Sequence, residues 1–192
     1  MESRRTSDLI LELQMGNHDA LGALYDRFNR LVFRTAVGIT GDSEAAADVM
    51  QEAFLKLYQY AHRIEQERPL EPWLARVTAN LSYTWVRRRR WASPLEDIAE
   101  KIAGEKKYIP HNNAEVEEEN HRIQKAILSL PLHQRAVVTM YYLNEMSLQE
   151  VAETLDIPTG TVKSRLHFAR RLLKKHLGLQ GDILSEAHYE FT

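Results

Sequence analysis

The stretch SLQEVAETLDIPTGTVKSRLHFARRLLKKHL, residues 147–177, decides the fold of the second half of this 192-residue chain. Ser147 and Glu150 have the spacing of a capping box, in which the two side chains satisfy backbone N–H groups at a helix start. An apolar stripe follows, at Leu148, Val151, Ala152 and Leu155, until Asp156 and Ile157 interrupt it. Pro158 suits the first turn of a second helix, where its missing N–H costs nothing. Two short helices with so tight a turn predict a helix-turn-helix.

The predicted second helix carries charge of one sign. Between Pro158 and His176 there is no acid, and the six cations give a charge of +6: Lys163, Arg165, Arg170, Arg171, Lys174 and Lys175. At about 100° per residue, one face is apolar, with Val162, Leu166, Ala169, Leu173 and Leu177. The opposite face holds Gly160, Ser164, His167 and Arg171. An acid-free face with small residues near the helix start predicts DNA binding in a major groove, although a solvated helix of an ordinary bundle is the alternative.

An earlier predicted helix, from Ser43 to about Tyr60, carries a polar stripe opposite its apolar face. Asp42 or Ser43 is expected to cap this helix. The stripe is spaced i, i+3, i+4 and i+7 and consists of Asp48, Gln51, Glu52 and Leu55. Periodicity alone favours a role in solubility, whereas docking of a basic, amphipathic partner element is the more specific hypothesis.

The predicted helix from Pro72 to Trp91 ends in four consecutive arginines, which are Arg87, Arg88, Arg89 and Arg90. Aromatic side chains are interleaved along it, at Trp73, Tyr83, Trp85 and Trp91. Cations track a phosphate backbone and aromatic rings stack on unpaired bases, so the pattern favours single-stranded nucleic acid. The alternative is that the tryptophans fill a core and the arginines stabilise a helix C-terminus; for Trp73 we favour the core.

Composition narrows the class of protein. The chain has no cysteine, which excludes disulfides and thiolate chemistry, and its net charge is −2. No apolar run approaches the roughly 20 residues of a membrane span, and the first residues do not form a secretion signal, so we expect a cytoplasmic protein. No hydrolase, P-loop or dinucleotide motif appears and the eight histidines are dispersed. We therefore expect no enzyme, no metal and no cofactor.

Helical periodicity without alternating strands predicts an all-α fold of two small helical domains. The first spans residues 6–91 and the second residues 121–178. Between them, residues 92–120 hold eight acids and three lysines, a local charge of −5, and are expected to form a flexible acidic linker. Residues 179–192 form a tail without an assigned role.

Three segments in this order resemble the bacterial extracytoplasmic-function (group IV) sigma factors of the sigma-70 family. ALYDRFNRLVFRTAVGITGDSEAAADVMQEAFLKLYQY is similar to the family's first helices, and EPWLARVTANLSYTWVRRRR to its promoter-melting helix. LPLHQRAVVTMYYLNEMSLQEVAETLDIPTGTVKSRLHFARRLLKKHL is similar to its −35-reading domain. The resemblance covers residues 8–178 and implies a non-enzymatic factor that binds core RNA polymerase, through its clamp coiled coil and flap, and promoter DNA. It also implies an anti-sigma factor as a partner.

The resemblance implies roles for individual residues. Asp48, Gln51 and Glu52 match the D-x-x-Q-E pattern of the helix that docks on the polymerase clamp, with Leu55 in the same stripe. Asn80 lies where the family captures a flipped base of the −10 element, and Arg76 and the four consecutive arginines would hold the strand backbone. The −35 contacts would come from Thr159, Thr161, Lys163, Ser164, Arg165, His167, Arg170 and Arg171. Of these, Lys163, Ser164 and His167 are expected to read bases, and Arg165 and Arg170 to contact phosphates.

The sequence departs from the family before Trp73, where Leu70-Glu71-Pro72 stands in place of the frequent Phe-Arg-Ala. This puts any −10 contact just before Trp73 in doubt. An alternative function is a helix-turn-helix regulator that acts without polymerase; it would need a dimer interface or a sensor pocket, and neither is evident in the sequence. A pure interaction protein would leave the acid-free basic helix unexplained.

Overall fold

A computed structural model describes residues 4–92 and 114–178, with side chains at 4–89 and 121–178, and every regular element in these ranges is helical. This confirms the predicted all-α fold. The first domain contains α1 (Thr6–Gln14), α2 (Asp19–Thr40), α3 (Ser43–Tyr60) and α4 (Leu70–Ala92), with a 3-10 turn at Ala61–Arg63. The second contains α5 (Ala114–Leu128), α6 (Leu132–Val138), α7 (Leu148–Leu155) and α8 (Thr159–Leu177). A π-helical turn, Thr139–Leu143, extends α6.

The predicted linker and tail lie mostly outside the described residues. Helix α4 runs to Ala92 and α5 begins at Ala114, so helices occupy both ends of the 92–120 segment. Residues 93–113 and 179–192 fall outside the described ranges.

The helix starts follow the capping signals of the sequence. Asp42, rather than Ser43, caps α3: its Oδ1 accepts hydrogen bonds from the amides of Glu44 at 3.1 Å and Ala45 at 3.0 Å. The predicted capping box of α7 is present, because Glu150 N donates to Ser147 Oγ and Ser147 N donates to Glu150 Oε2. Pro158 lies directly before α8, not within its first turn as expected.

Three apolar clusters of the described residues hold the helices together, the smallest of which consists of Ala36, Ala46 and Val49. The first domain packs α1, α2, α3 and α4 around Leu9, Leu24, Phe28, Leu57 and Leu74. Trp73 packs against this cluster half-buried, consistent with its expected core role. The second cluster contains Met140, Val151, Val162 and Leu166, and it also includes Ile39, Ala75 and Ala79 of the first domain. The apolar core of the second domain is therefore completed by α2 and α4.

Two glycines of the first domain allow this close packing. A Cβ atom at Gly38 would lie 2.7 Å from Cγ2 of Thr139, in the π-helical turn. A Cβ atom at Gly41 would lie 2.5 Å from Cδ2 of Leu128, and Gly41 also ends α2 with a φ of +73°. Glycine at these positions lets the backbone of α2 approach the second domain directly.

Candidate nucleic-acid interface

The polar stripe of α3 forms one exposed surface. Asp48, Gln51, Glu52 and Leu55 are all exposed, and Leu55 is 53% exposed despite its apolar side chain. The opposite side of α3 is buried, with Val49, Ala53, Phe54 and Leu57 in or against the core. We call these four exposed residues the docking stripe. Its geometry matches the spacing predicted from the sequence.

Tyr58 extends the docking stripe by one helical turn and was missed by the sequence reasoning. It is 43% exposed, and its ring centroid lies 5.5 Å from that of His18. Its position three residues after Leu55 was the available signal. The stripe therefore continues into an aromatic patch.

Helix α4 presents a second exposed surface, which we call the strand face. Asn80, Thr84, Arg87 and Arg88 are exposed and follow one another at helical spacing along one side of the helix. The hydroxyl of Thr84 donates to the backbone carbonyl oxygen of Asn80 at 2.9 Å, and the Asn80 residue is exposed. The structure thus brings together three of the predicted −10 residues. The side chain of Arg90 lies outside the described residues.

Arg89 lies apart from this face. Its Nη1 forms an ion pair with Asp42 Oδ2 at 2.5 Å, and its guanidinium lies 4.9 Å from the ring centroid of Trp85. Burial raises the pKa of the Asp42 carboxyl. The hydrogen bond from the Ala45 amide and the hydrogen bond and charge of Arg89 have the opposite effect and outweigh burial, so the pKa lies below its ordinary value. Arg89 therefore links the C-terminal part of α4 to the N-cap residue of α3 through an ion pair.

Arg76 binds the second domain. Its Nε donates to the carbonyl oxygen of Thr154 at 2.7 Å, and its Nη2 donates to that of Glu153. Both carbonyls belong to the last turn of α7, where carbonyl groups lack helical partners and favour a cation. In this arrangement the donors of Arg76 cap the first helix of the helix-turn-helix.

Helix α8 presents a third surface, which we call the reading face. Ser164, His167 and Arg171 are exposed along it, while Thr159, Thr161 and Lys163 are half-buried at its edge. Two hydroxyls make local hydrogen bonds: Thr159 donates to Gln149 Oε1 at 3.2 Å and Ser164 to the carbonyl oxygen of Thr161 at 3.0 Å. One side of the N-terminal half of α8 is therefore exposed, and it carries small and polar side chains.

Two predicted −35 residues lie off the reading face. Arg165 is half-buried near Tyr83 of α4. Burial raises the pKa of the Tyr83 hydroxyl to about 12, and the positive charge of Arg165 opposes this rise. The Nε of Arg170 donates to the hydroxyl of Tyr142 at 2.8 Å. Both arginines were predicted to contact phosphates, and in this structure neither side chain lies on the reading face.

Phe168 is an apolar residue of this surface to which the sequence predictions assign no contact. It is 50% exposed next to His167, with ring centroids 5.6 Å apart. Its wheel position beside Ser164 and Arg171 could have identified it, since an exposed phenylalanine on such a face can contact a thymine methyl group.

The start of α4 shows how the unusual Leu70-Glu71-Pro72 segment is accommodated. Leu70 is the first residue of α4 and is fully buried in the core of the first domain. Pro72 lies in the first turn, where a helix does not need its N–H. The helix therefore begins at Leu70 despite the proline.

The described residues contain no group of three histidine, aspartate or glutamate side chains placed to hold a metal ion. Within 4–92 and 114–178, no helix combines the length and the apolar character that a membrane crossing requires.

Comparison with known proteins supports both domains. The family description "Sigma-70 region 2" matches residues 24–92, and "Sigma-70, region 4" matches residues 120–173. The chain is 30% identical over 176 residues to the ECF RNA polymerase sigma factor SigW of Bacillus subtilis, which covers 88% of this chain and 94% of that protein. It is 33% identical over 153 residues to the ECF RNA polymerase sigma factor SigL of Mycobacterium tuberculosis, and this match covers 79% of this chain and 85% of SigL.

Solved structures share the fold. CnrH, in complex with the cytosolic domain of CnrY, superposes with a TM-score of 0.67 at 20% identity and covers 92% of this chain and 99% of its own. RpoE of Bartonella quintana, in complex with the anti-sigma factor NepR, superposes with a TM-score of 0.62 at 19% identity. The match covers 82% of this chain and 98% of the RpoE chain.

Proposed function

This chain belongs to the extracytoplasmic-function group of the sigma-70 family, and we propose that its three exposed surfaces divide the contacts of transcription initiation. It is an alternative sigma factor that binds core RNA polymerase and directs promoter recognition. A helix-turn-helix regulator independent of polymerase is not favoured. The observation that carries the division is that the docking stripe and the strand face lie in the region 2 match and the reading face in the region 4 match.

The docking stripe binds the clamp coiled coil of core polymerase in this proposal. Asp48 and Glu52 supply negative charge, Gln51 a hydrogen-bonding amide, and Leu55 an exposed apolar contact. An exposed leucine next to acids suits a partner helix that is both basic and amphipathic.

The strand face binds the unpaired −10 strand. Arg87 and Arg88 would contact phosphates, and the amide of Asn80 can donate to and accept from the edge of an extruded base. Contacts made only with the opened strand offset the cost of unpairing, which is a few kcal/mol per flipped base. No covalent step is required, and we propose no catalytic activity.

The reading face binds the −35 duplex. Lys163, Ser164 and His167 would reach base edges from the N-terminal half of α8, while Arg171 would contact the phosphate backbone. Arg165 and Arg170 would first have to leave Tyr83 and Tyr142 to join it.

The packing of the two domains has a consequence for this mechanism. Because Arg76 caps α7, its donors become available to the −10 strand when α7 moves away from α4. We propose that binding to polymerase separates the domains. We also propose that an anti-sigma factor binds this cytoplasmic chain and opposes that step; the relative RpoE of Bartonella quintana forms a complex with one such factor, NepR.

Run-off transcription with core RNA polymerase and a library of random promoter DNA tests this function. The chain should direct transcripts from DNA that shares two conserved elements, whereas core polymerase alone should not. If enriched DNA shared no element, promoter recognition would be refuted.

Charge reversal tests the docking stripe. Asp48→Lys combined with Glu52→Lys should abolish co-purification with core polymerase while the helical circular dichroism signal is retained, because both positions are exposed. The matched control, Glu65→Lys with Glu67→Lys, changes the same charge on exposed positions outside the stripe and should co-purify normally. Equal recovery of both variants would contradict the assignment.

A further inference from the structure

A groove of about 300 Å³ on the second domain, between α6 and α8, has no role in the proposed function apart from one arginine. It is lined by Gln134, Phe168, Arg171, Leu172 and Lys175. The four residues from α8 follow the spacing i, i+3, i+4 and i+7, so they form one continuous stripe. The groove therefore combines an apolar floor with two cations.

Gln134 forms the α6 side of this groove. Its Oε1 is buried and has no hydrogen-bond partner within the described residues. The half-exposed ring of Phe168 and the two cations beside it indicate a surface that receives an acidic, apolar peptide.

The segment that follows α8 has the complementary chemistry. Residues 179–192 contain three acids and no lysine or arginine. The acids Asp182, Glu186 and Glu190 are four residues apart, and apolar residues follow them at Ile183, Leu184, Ala187 and Phe191. Acids and apolar groups at this spacing match the stripe of Arg171, Lys175, Phe168 and Leu172.

The segment is also long enough to reach the groove. Helix α8 ends at Leu177, and Gly178 follows in the left-handed conformation with a φ of +66°, a conformation common where a chain leaves a helix. From Leu177 back to Phe168 is about 14 Å at 1.5 Å per residue. Fourteen residues span about 21 Å as a helix and about 46 Å when extended. The short tether makes the local concentration of the segment roughly millimolar.

We propose that residues 179–192 bind in this groove of their own chain. The acids pair with Arg171 and Lys175, and apolar side chains cover Phe168 and Leu172. Since Arg171 belongs to the reading face, the bound segment competes with duplex DNA; this last consequence rests on the proposed function, whereas the groove contact does not.

Photo-cross-linking tests the contact on the full chain without DNA or polymerase. The photoreactive amino acid p-benzoylphenylalanine replaces Phe168, and trypsin then releases residues 166–170 and 176–192 as separate peptides, because cleavage follows Arg165, Arg170 and Lys175. We expect these two peptides to be joined after irradiation. A control probe in place of the exposed Tyr58 should not be joined to 176–192.

A charge variant adds a functional readout. Asp182→Asn, Glu186→Gln and Glu190→Gln together should greatly reduce the cross-link and tighten binding to random-sequence duplex DNA roughly three- to tenfold, as expected when a competing bound form is removed. The control, Asp26→Asn, Glu65→Gln and Glu67→Gln, changes net charge equally at exposed positions and should produce a smaller change.

The outcomes separate the two proposals. A cross-link without any effect on DNA binding supports the groove contact and contradicts the DNA-binding role of Arg171. Cross-links found only between differently isotope-labelled copies would show that a second chain fills the groove, and absence of any cross-link to 176–192 would show that the segment does not; either result overturns the inference.

Discussion

Arg135 carries a charge into the contact between the domains, where 8% of the residue is exposed. Its Nη1 donates to the carbonyl oxygen of Ile39 at 2.7 Å, and its Nη2 donates to the carbonyl oxygens of Leu128 and Leu130. Such charge-assisted hydrogen bonds offset the cost of burying the guanidinium. Because Ile39 belongs to the first domain, this one side chain joins both domains through its forked geometry, which lysine cannot reproduce.

Asp42 gives a residue-scale prediction for pH. Its folded-state pKa is depressed below 3.8 and its carboxylate pairs with Arg89, so its contribution is present above the unfolded pKa and is lost as pH falls through the folded one. Asp42→Asn retains a capping oxygen but loses the ion pair, and should cost about 0.5–1 kcal/mol at neutral pH. Urea unfolding at pH 7 and at an acidic pH where the Asp42 carboxyl is protonated in the folded protein should show this difference shrinking towards zero.

The control for this prediction is Asp26→Asn on the exposed surface of α2, which should change stability by less than about 0.5 kcal/mol at either pH. If the Asp42→Asn difference stayed constant as the pH was lowered, the ion pair with Arg89 would not be its source.

At the scale of the element, α8 makes a prediction about sequence-specific binding. Lys163→Ala with His167→Ala should weaken binding to the −35 element of a promoter obtained from the transcription library by about 1–3 kcal/mol for each base edge that the variant can no longer bind. Lys174→Ala with His176→Ala removes the same side-chain types near the end of α8 and should weaken binding to all sequences alike. Competition between specific and random duplexes distinguishes the two double variants. If Lys163→Ala with His167→Ala weakened binding to both duplexes equally, these two side chains would not read bases.

Elements whose signals are local were predictable from the sequence. The capping box of Ser147 and Glu150, and the docking stripe of α3, depend on residues three to seven positions apart, so spacing alone located them. The contact of Arg76 with Thr154 joins residues 78 positions apart and was not predictable, because nothing local in α4 encodes the position of α7. The groove beside Phe168 was missed for a similar reason, since α6 supplies one of its walls.

At the scale of the whole molecule, the two domains share polar as well as apolar contacts. Asn144, which follows the π-helical turn, donates to the hydroxyl of Thr35 at 2.7 Å and accepts from Arg34 at 3.1 Å. With Arg76 and Arg135, these bonds connect α2 and α4 to the helix-turn-helix domain. Polar contacts of this kind can exchange with water when the domains separate, which suits the opening on polymerase that we propose.

Gly38→Ala tests this arrangement in the whole molecule. Alanine raises the helix propensity of α2 by about 1 kcal/mol, yet its Cβ atom would lie 2.7–2.8 Å from Cγ2 and Oγ1 of Thr139. The domains must therefore shift apart while the first domain keeps its helices. Small-angle X-ray scattering should show a larger radius of gyration, and co-purification with core polymerase should be retained or increased, because the domains of the variant are already separated as we propose they are on polymerase.

Two further variants make the test specific to the contact. Gly22→Ala lies in the same helix with open space around it, so it should stabilise α2 without changing the radius of gyration. Adding Thr139→Ala to Gly38→Ala removes both close atoms, and costs little because Thr139 Oγ1 is buried without a hydrogen-bond partner in the described part of the chain. This double variant should return towards the wild-type radius. If Gly38→Ala alone left the radius unchanged, the direct approach of α2 to the π-helical turn would not hold the domains together in solution.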